Sequence, residues 1–104
     1  MITATFTERG NRLSLRVEGH AGYAEHGKDI ICASASILAY TLASIVDSID
    51  GVKTSINLDI GDSTIECECE DDETITKVAD VYYFAKRGYA LLAQSYPQYV
   101  RLMP

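Results

Sequence analysis

The chain lacks several features that would each assign it to a particular class of protein. It has no surplus of basic side chains, since 15 acidic residues outnumber 9 basic ones and the net charge is −6. Direct binding to nucleic acid needs a clustered basic face, so we predict no nucleic-acid partner and favour a basic protein partner. We expect no apolar run of membrane-spanning length, and the first residues do not resemble a signal peptide. We therefore predict no membrane partner and a cytoplasmic location.

Cysteine is also scarce, with three residues and no framework spacing. An odd number of unmatched cysteines argues for reduced thiols rather than disulfides. A zinc site would combine Cys67 and Cys69 with Cys32 and a histidine, but the Cys-x-Cys pair has no second matching pair. We predict neither a metal nor another cofactor. At 104 residues with an apolar fraction of 47%, the chain is expected to form one domain over residues 1–104.

Four segments alternate apolar and polar side chains, which is typical of β-strands with one buried face. They run over Ile2 to Arg9, Leu13 to Val17, Val52 to Ile60 and Thr64 to Glu70. The turns Gly10-Asn11 and Gly61-Asp62-Ser63 join them into two hairpins. Because Ile65, Cys67 and Cys69 share the apolar side of the last segment, we expect both cysteines to be small buried residues.

Two longer segments carry apolar residues at helical spacing. The first is expected from Ile30 to about Ile49, with Asp50-Gly51 ending it. Its apolar positions are Ile30, Ile37, Leu38, Leu42, Ile45 and Ile49. The second is expected to open at Asp71 and to run to about Ser95, before Pro97. Its surplus aromatic surface would suit a homodimer contact.

The resulting order is β-β-α-β-β-α, with a short edge strand from Tyr99 to Met103 as an optional last element. Hairpins joined by helices favour an α+β sandwich. We predict a mostly antiparallel sheet with both helices packed on one face.

The stretch from Gly19 to Ser36 contains both histidines and Cys32. Asp29 followed by two isoleucines is typical of a helix N-cap, which places Cys32 in the first helical turn. Backbone N–H groups there lack intrahelical partners, and the helix dipole favours the thiolate, which is the attacking form. The N–H groups of Cys32 and Ala33 are also candidate donors to a developing oxyanion.

His20 ends the second strand, and His26 lies in the glycine-rich loop that follows. We prefer His20 as the partner of Cys32 because the strand anchors it. Ser36 lies one helical turn after Cys32 on the same face. Asp29 has two alternative roles, as the helix cap or as the carboxylate that orients His20. A small buried cysteine and a surface histidine would be the structural alternative.

Three short motifs carry a family resemblance: Gly19-His20-Ala21, then Gly-Lys-Asp-Ile-Ile-Cys-Ala from 27 to 33, then Ser36. This pattern resembles the signature of the ribosomal-processing cysteine protease (Prp) family over the whole chain in length and element order. The resemblance implies that His20 is the general base and Cys32 the nucleophile. Asp29 and Ser36 fall on further motif positions, and Gly19 and Ala33 on supporting ones. Ile31 stands where valine is usual, and Ser34 where glycine or alanine is common.

The resemblance implies a cysteine endopeptidase, active as a homodimer, that removes the N-terminal extension of large-subunit ribosomal protein L twenty-seven during ribosome maturation. Such an enzyme needs an apolar groove beside Cys32, for which Tyr23, Ile31 and Tyr40 are candidate linings. Two other classes stay open. A thiol-based redox sensor would require a resolving cysteine near Cys32. A non-enzymatic ribosome-assembly binding module would need the fold and the acidic face but not the dyad.

Overall fold

The computed structural model of the chain describes residues 1–25 and 27–103. Seven elements follow one another in the predicted order, with the optional last strand present. They are β1 (Ile2–Arg9), β2 (Arg12–Glu18), α1 (Ile30–Asp47), β3 (Val52–Asp59), β4 (Asp62–Cys69), α2 (Asp72–Ser95) and β5 (Val100–Met103).

The five strands form one sheet in the order β3-β4-β2-β1-β5. All neighbours are antiparallel except β1 and β5, which run parallel with Ile2 opposite Val100. The predicted α+β fold is confirmed, with a mostly antiparallel sheet and two helices on one face. Strand β2 is the central strand, so its last residues lead to the middle of one end of the sheet rather than to a side edge.

The core lies between the helices and the apolar face of the sheet. Strands β2 and β4 contribute its central layer, which consists of Leu13, Leu15, Val17, Ile65, Cys67 and Cys69, all buried. The prediction that both cysteines are buried is confirmed. Two tyrosines of α2 enter this core and place their hydroxyls on backbone carbonyls. Tyr82 donates to Ile65 at 2.8 Å, and Tyr89 donates to Ala35 at 2.7 Å. These bonds satisfy the only polar atom of each buried ring.

The side of helix α1 that packs against the sheet is not the isoleucine-rich side that the sequence predicted. Its buried side consists of Ile31, Ala35, Ala39, Leu42, Ala43 and Val46. In contrast, Ile30, Ile37 and Ile45 are exposed. The expected stripe was therefore wrong in part, because the isoleucines and the alanine-rich face both recur at helical spacing. The alanine-rich face allows the helix axis to approach the strands closely.

By length and mean hydropathy (1.8 over 18 residues), α1 is sufficient to cross a membrane, contrary to the expectation that no apolar run reaches that length. Core helices of soluble proteins meet the same criterion, so a single helix of this kind is weak evidence for a membrane span. One third of the helix (33%) is buried inside the fold.

Candidate active site

A cavity of about 470 Å³ lies between the start of α1, the loop after β2 and the β3–β4 turn. All six residues that the sequence singled out line it: Gly19, His20, Asp29, Cys32, Ala33 and Ser36. The fold therefore brings the predicted site together in one place. The chemical role of each residue stays a prediction.

The buried carboxylate of Asp29 joins the loop to the helix. It caps α1, and its Oδ1 accepts hydrogen bonds from the backbone N–H groups of Ile31 at 3.0 Å and Cys32 at 2.9 Å. Its Oδ2 accepts from Tyr23 at 3.0 Å and Ala24 at 3.3 Å. Burial alone would raise the pKa of this carboxyl, but the four N–H donors outweigh it and hold the pKa below its usual value.

These hydrogen bonds bear on the two roles that the sequence left open for Asp29, as the helix cap or as the carboxylate that orients His20. Both oxygens of Asp29 are used by backbone donors, and no hydrogen bond joins Asp29 to His20 within residues 1–25 and 27–103. Asp29 is therefore the helix cap in this structure.

The expectation that the N–H groups of Cys32 and Ala33 are free for an oxyanion is wrong, because both donate to Asp29. The N–H of Cys32 donates to the carboxylate, and the N–H of Ala33 donates to the carbonyl oxygen at 3.0 Å.

The Cys32 thiol is half-buried at the third residue of α1. Its Sγ accepts a hydrogen bond from the backbone N–H of Ala21 at 3.4 Å. The sulfur therefore lies beside this N–H donor at the start of the helix, where the helix dipole is positive. The side chain opens into the cavity, so the sulfur is accessible to a ligand.

The backbone on either side of His20 is held by two neighbouring segments. The N–H of Gly19 donates to the carbonyl of Gly61 at 2.8 Å, and the backbone nitrogen of Met1 donates to the carbonyl of His20 at 2.6 Å. Gly19 has φ +90°, and a Cβ at this position would overlap the Met1 carbonyl, so only glycine fits.

The imidazole of His20 is exposed and lies against Gly61 of the β3–β4 turn. In the part of the chain that the structure describes, no hydrogen bond connects this ring to Sγ of Cys32. The two side chains therefore line one cavity without a hydrogen bond between them. His26, the rival histidine, lies outside the described residues.

Of the three predicted groove linings, one reaches the cavity. Tyr40 lines it, one turn beyond Ser36 on the same flank of α1. Tyr23 instead packs against Tyr96 and Tyr99, with ring centroids at 6.3 and 5.4 Å. Ile31 is fully buried in the core. Sequence reasoning missed Ile2, Val17, Ala39, Ile60 and Gly61, which also line the cavity. No local pattern marks them as site residues, because distant strands bring them there.

The other titratable groups that the structure describes form no second site of this kind. Among residues 1–25 and 27–103, no group of three metal-ligating side chains is close enough to hold an ion. Burial raises the pKa of Cys67, although a hydrogen bond from Tyr82 opposes the shift. Burial also raises the pKa of Cys69, so both thiols favour the protonated form.

A thiol at a helix start and an imidazole thus line one open cavity of an α+β sandwich, and this combination is typical of thiol-dependent hydrolases. The model of one protein family, described as cysteine protease Prp, matches residues 1–101. The chain belongs to this family of cysteine proteases.

Individual relatives agree with this assignment. A Bacillus subtilis protein named ribosomal processing cysteine protease Prp is 34% identical over 64 residues, or 60% of this chain. That match spans only 55% of the relative's length. A Streptococcus mutans crystal structure is 28% identical with a TM-score of 0.69, covering 98% of this chain and 91% of the other.

A crystal structure of an essential ribosomal processing protease Prp from S. aureus, covalently linked to a product peptide, has a TM-score of 0.74. It covers 98% of this chain and 97% of the other at 22% identity. A second structure of that protease, in complex with a substrate peptide, has a TM-score of 0.75 and 21% identity, covering 99% and 98%. At such identities the likeness shows the fold alone.

Proposed function

We propose that the chain hydrolyses peptide bonds, with Cys32 as the nucleophile and His20 as the general base. The observation that carries this proposal is the placement of Cys32 Sγ. It lies at the start of α1, within hydrogen-bonding distance of the Ala21 N–H, in the cavity that His20 also lines. Membership of a cysteine protease family supports the same chemistry.

The reaction proceeds through a thioester. The His20 imidazole accepts the thiol proton, and Cys32 Sγ attacks the scissile carbonyl carbon to form a C–S bond. The C–N bond then breaks, and the imidazolium returns the proton to the leaving amine. Water then attacks the thioester carbonyl carbon to form a C–O bond and gives a proton to His20. The C–S bond breaks, and the imidazolium returns the proton to Cys32 Sγ, so that the acid product leaves and the free thiol is restored. Because His20 and Cys32 are not hydrogen-bonded here, the imidazole must turn toward the sulfur before it accepts the thiol proton.

The oxyanion needs a donor other than the N–H groups that Asp29 occupies. The N–H of Ala21 points at Sγ at 3.4 Å, so it lies beside the atom that forms the new bond. We assign it as the first oxyanion donor, because preorganised backbone N–H groups are the usual stabilisers of this charge.

Exposed apolar side chains continue from the cavity along the outer strand β3. Tyr40 and Ile60 line the cavity itself. Ile56 and Leu58 belong to the helix-facing side of β3, since Ile56 pairs with the buried Ile65, yet both side chains are partly exposed. This uncovered surface suits the apolar side chains of an extended peptide.

The substrate that we propose is the N-terminal extension of large-subunit ribosomal protein L twenty-seven. The B. subtilis relative is named a ribosomal processing protease, and the family resemblance of the sequence implies this extension. The net charge of −6 is complementary to a basic ribosomal protein. Such a substrate requires a cytoplasmic location.

We also propose a homodimer through the outer face of the two helices. Ile37 and Phe84 are 60% and 77% exposed there, and Leu91 is 56% exposed. Phe84 and Leu91 lie one turn before and after Gly88, which packs directly against Leu38 of α1. Exposed apolar side chains on adjacent helices are typical of a contact with another protein surface.

The test is mass spectrometry of a peptide that spans the ribosomal extension, incubated with the wild type, Cys32→Ala and His20→Ala proteins. A peptide of the same composition in scrambled order is the control. We expect one cut in the native-order peptide, made by the wild type alone. Absence of cleavage by folded wild type would reject this substrate, and a cut that survives Cys32→Ala would reject the nucleophile.

Two alternatives from other classes make different predictions. A redox sensor would form a disulfide from Cys32, but Cys67 and Cys69 are buried and mainly protonated, so neither is a suitable resolving thiol. A non-enzymatic binding module would keep its function after Cys32→Ala, whereas the protease would lose it.

A further inference from the structure

The β3–β4 turn contacts the proposed general base. Gly61 in this turn has φ +81°, and its Cα faces the imidazole of His20. A Cβ built on Gly61 would lie 2.7 Å from Nε2 of His20 and 3.0 Å from Cε1. The first distance is shorter than real Cβ contacts and the second is at their tight limit, so the ring occupies the space that the Cβ of any other residue would need.

The same turn also holds the backbone that leads to His20. The carbonyl oxygen of Gly61 accepts the hydrogen bond from Gly19 at 2.8 Å. This bond extends the β2–β4 pairing beyond its last pair, Glu18 with Asp62. Gly61 therefore contacts the imidazole of His20 and also holds Gly19, the residue before His20. In the sequence, Gly61 lies 41 positions after His20.

We propose that Gly61 is a positioning residue for His20. Because glycine has no side chain, it leaves the space in which the imidazole lies and from which the ring turns to Cys32. The inference rests on the proposed role of His20. A Cβ at position 61 pushes the ring by about 0.7 Å or more, from 2.7 Å to an ordinary contact of at least 3.4 Å. Displacements of about 1 Å in a catalytic group lower rates by about 10²-fold.

The other hairpin supplies a matched control. Gly10 lies in the two-residue turn between β1 and β2, also with a positive φ of +59°, but a Cβ there meets nothing within 4 Å. Replacement of either glycine by alanine causes comparable backbone strain. Only the replacement at position 61 also displaces an imidazole.

The experiment compares Gly61→Ala with Gly10→Ala in peptide cleavage, thermal unfolding and the ¹H–¹⁵N spectrum of the histidine rings. We expect kcat of Gly61→Ala to fall at least about tenfold with KM within about threefold, and the His20 ring signals to move. Gly10→Ala should keep kcat within about twofold and leave those signals in place.

A second pair of variants separates the clash from the strain. Asparagine tolerates positive φ better than alanine does, but it carries the same Cβ. Gly61→Asn should therefore regain thermal stability relative to Gly61→Ala and remain slow. If instead Gly61→Asn recovers the wild-type kcat, the Cβ contact is irrelevant and the inference is overturned.

Rejection of the role of Gly61 can be distinguished from rejection of the proposed function. If His20→Ala cleaves the peptide as fast as the wild type, the proposed base is wrong. If His20→Ala is inactive but Gly61→Ala matches Gly10→Ala in kcat and in its ring spectrum, only the role of Gly61 is rejected.

Discussion

Helices α1 and α2 begin with the same local chemistry, an aspartate cap followed by a polar side chain at the third helical position. In α2, Asp71 accepts hydrogen bonds from the N–H of Thr74 at 2.8 Å and from its hydroxyl at 2.7 Å. In α1, the equivalent side chain of Cys32 turns away from the cap and into the cavity. Its sulfur receives a hydrogen bond from Ala21 instead.

The caps differ in what they connect. In the part of the chain that the structure describes, the carboxylate of Asp71 accepts hydrogen bonds from Thr74 alone, so it stabilises its own helix. Asp29 also binds Tyr23 and Ala24 through its second oxygen, and this ties the loop after His20 to the helix that carries Cys32. A common capping motif becomes part of the proposed active site when the second carboxylate oxygen holds a loop in place. This comparison leads to four predictions.

The largest effect is expected from the two third-position side chains. Cys32→Ala should lower kcat/KM by at least about 10³-fold, because no nucleophile remains, and should change Tm by less than about 2 °C. Thr74→Ala should lower Tm by about 5 °C through the lost hydroxyl bond and keep kcat/KM within about twofold. Peptide cleavage and calorimetry measure both. A large activity loss in Thr74→Ala would mean that the two helix starts are not functionally distinct.

Substitution of the two capping aspartates should likewise affect activity in one helix and only stability in the other. In Asp29→Asn, the amide group keeps one acceptor for the helix but cannot accept from the N–H groups of Tyr23 and Ala24. We expect about a tenfold loss of kcat/KM, because the loop that carries Ala21 loses its anchor. The matched variant Asp71→Asn should weaken stability without loss of activity. Equal activity in the two variants would contradict the anchoring role of Asp29.

A smaller effect is expected on the flank of α1 that borders the cavity. Tyr40→Ser should raise KM about threefold with little change in kcat, because it removes apolar contact with the peptide. Tyr83→Ser is the control, since Tyr83 is even more exposed on α2 (60% against 45%) and does not line the cavity. Steady-state kinetics on one peptide decide the comparison, and similar KM values in both variants would remove Tyr40 from the groove.

The smallest effect is the dependence of stability on acid pH. The pKa of Asp71 is lowered, mainly by the hydrogen bond from the Thr74 hydroxyl, and the pKa of Asp29 is lowered by its four N–H donors despite burial. A lowered folded-state pKa stabilises the fold above the unfolded value of about 3.9 and loses that contribution as pH falls through the folded value. Thermal unfolding between pH 7 and pH 2.5 should therefore show a smaller decline in Asp29→Asn and Asp71→Asn. A decline as steep as that of the wild type would contradict the assignment.

The fold was largely predictable because its strands alternate cleanly and its turns carry glycine. The strand that ends with Cys67 and Cys69 is the clearest case, since period-two alternation alone identified both as buried. The inward face of α1 was not predictable from spacing. Ile37 and Ile45 recur at helical intervals as regularly as Ala35 and Ala39 do, and only the sheet decides which face is covered.

The grouping of the six predicted residues around one cavity was predictable from the sequence, but their hydrogen bonds were not. Local sequence identified Asp29 as a cap, yet it gave no sign that the second oxygen would bind Tyr23 and Ala24 or that the N–H of Cys32 would be occupied. Tyr23 packs on the C-terminal segment rather than on the groove, and Gly61 reaches His20 across the sheet. These contacts join residues far apart in the chain, so no short pattern encodes them.

The most direct test of the central claim is the rate at which iodoacetamide alkylates Cys32 at pH 7, measured by peptide mass spectrometry in the wild type and in His20→Ala. A thiol activated by the helix start and by His20 should react well before Cys67 and Cys69, and at least about tenfold more slowly in His20→Ala. Equal rates in the two proteins would contradict the account, because His20 would then have no influence on the sulfur that it is proposed to deprotonate.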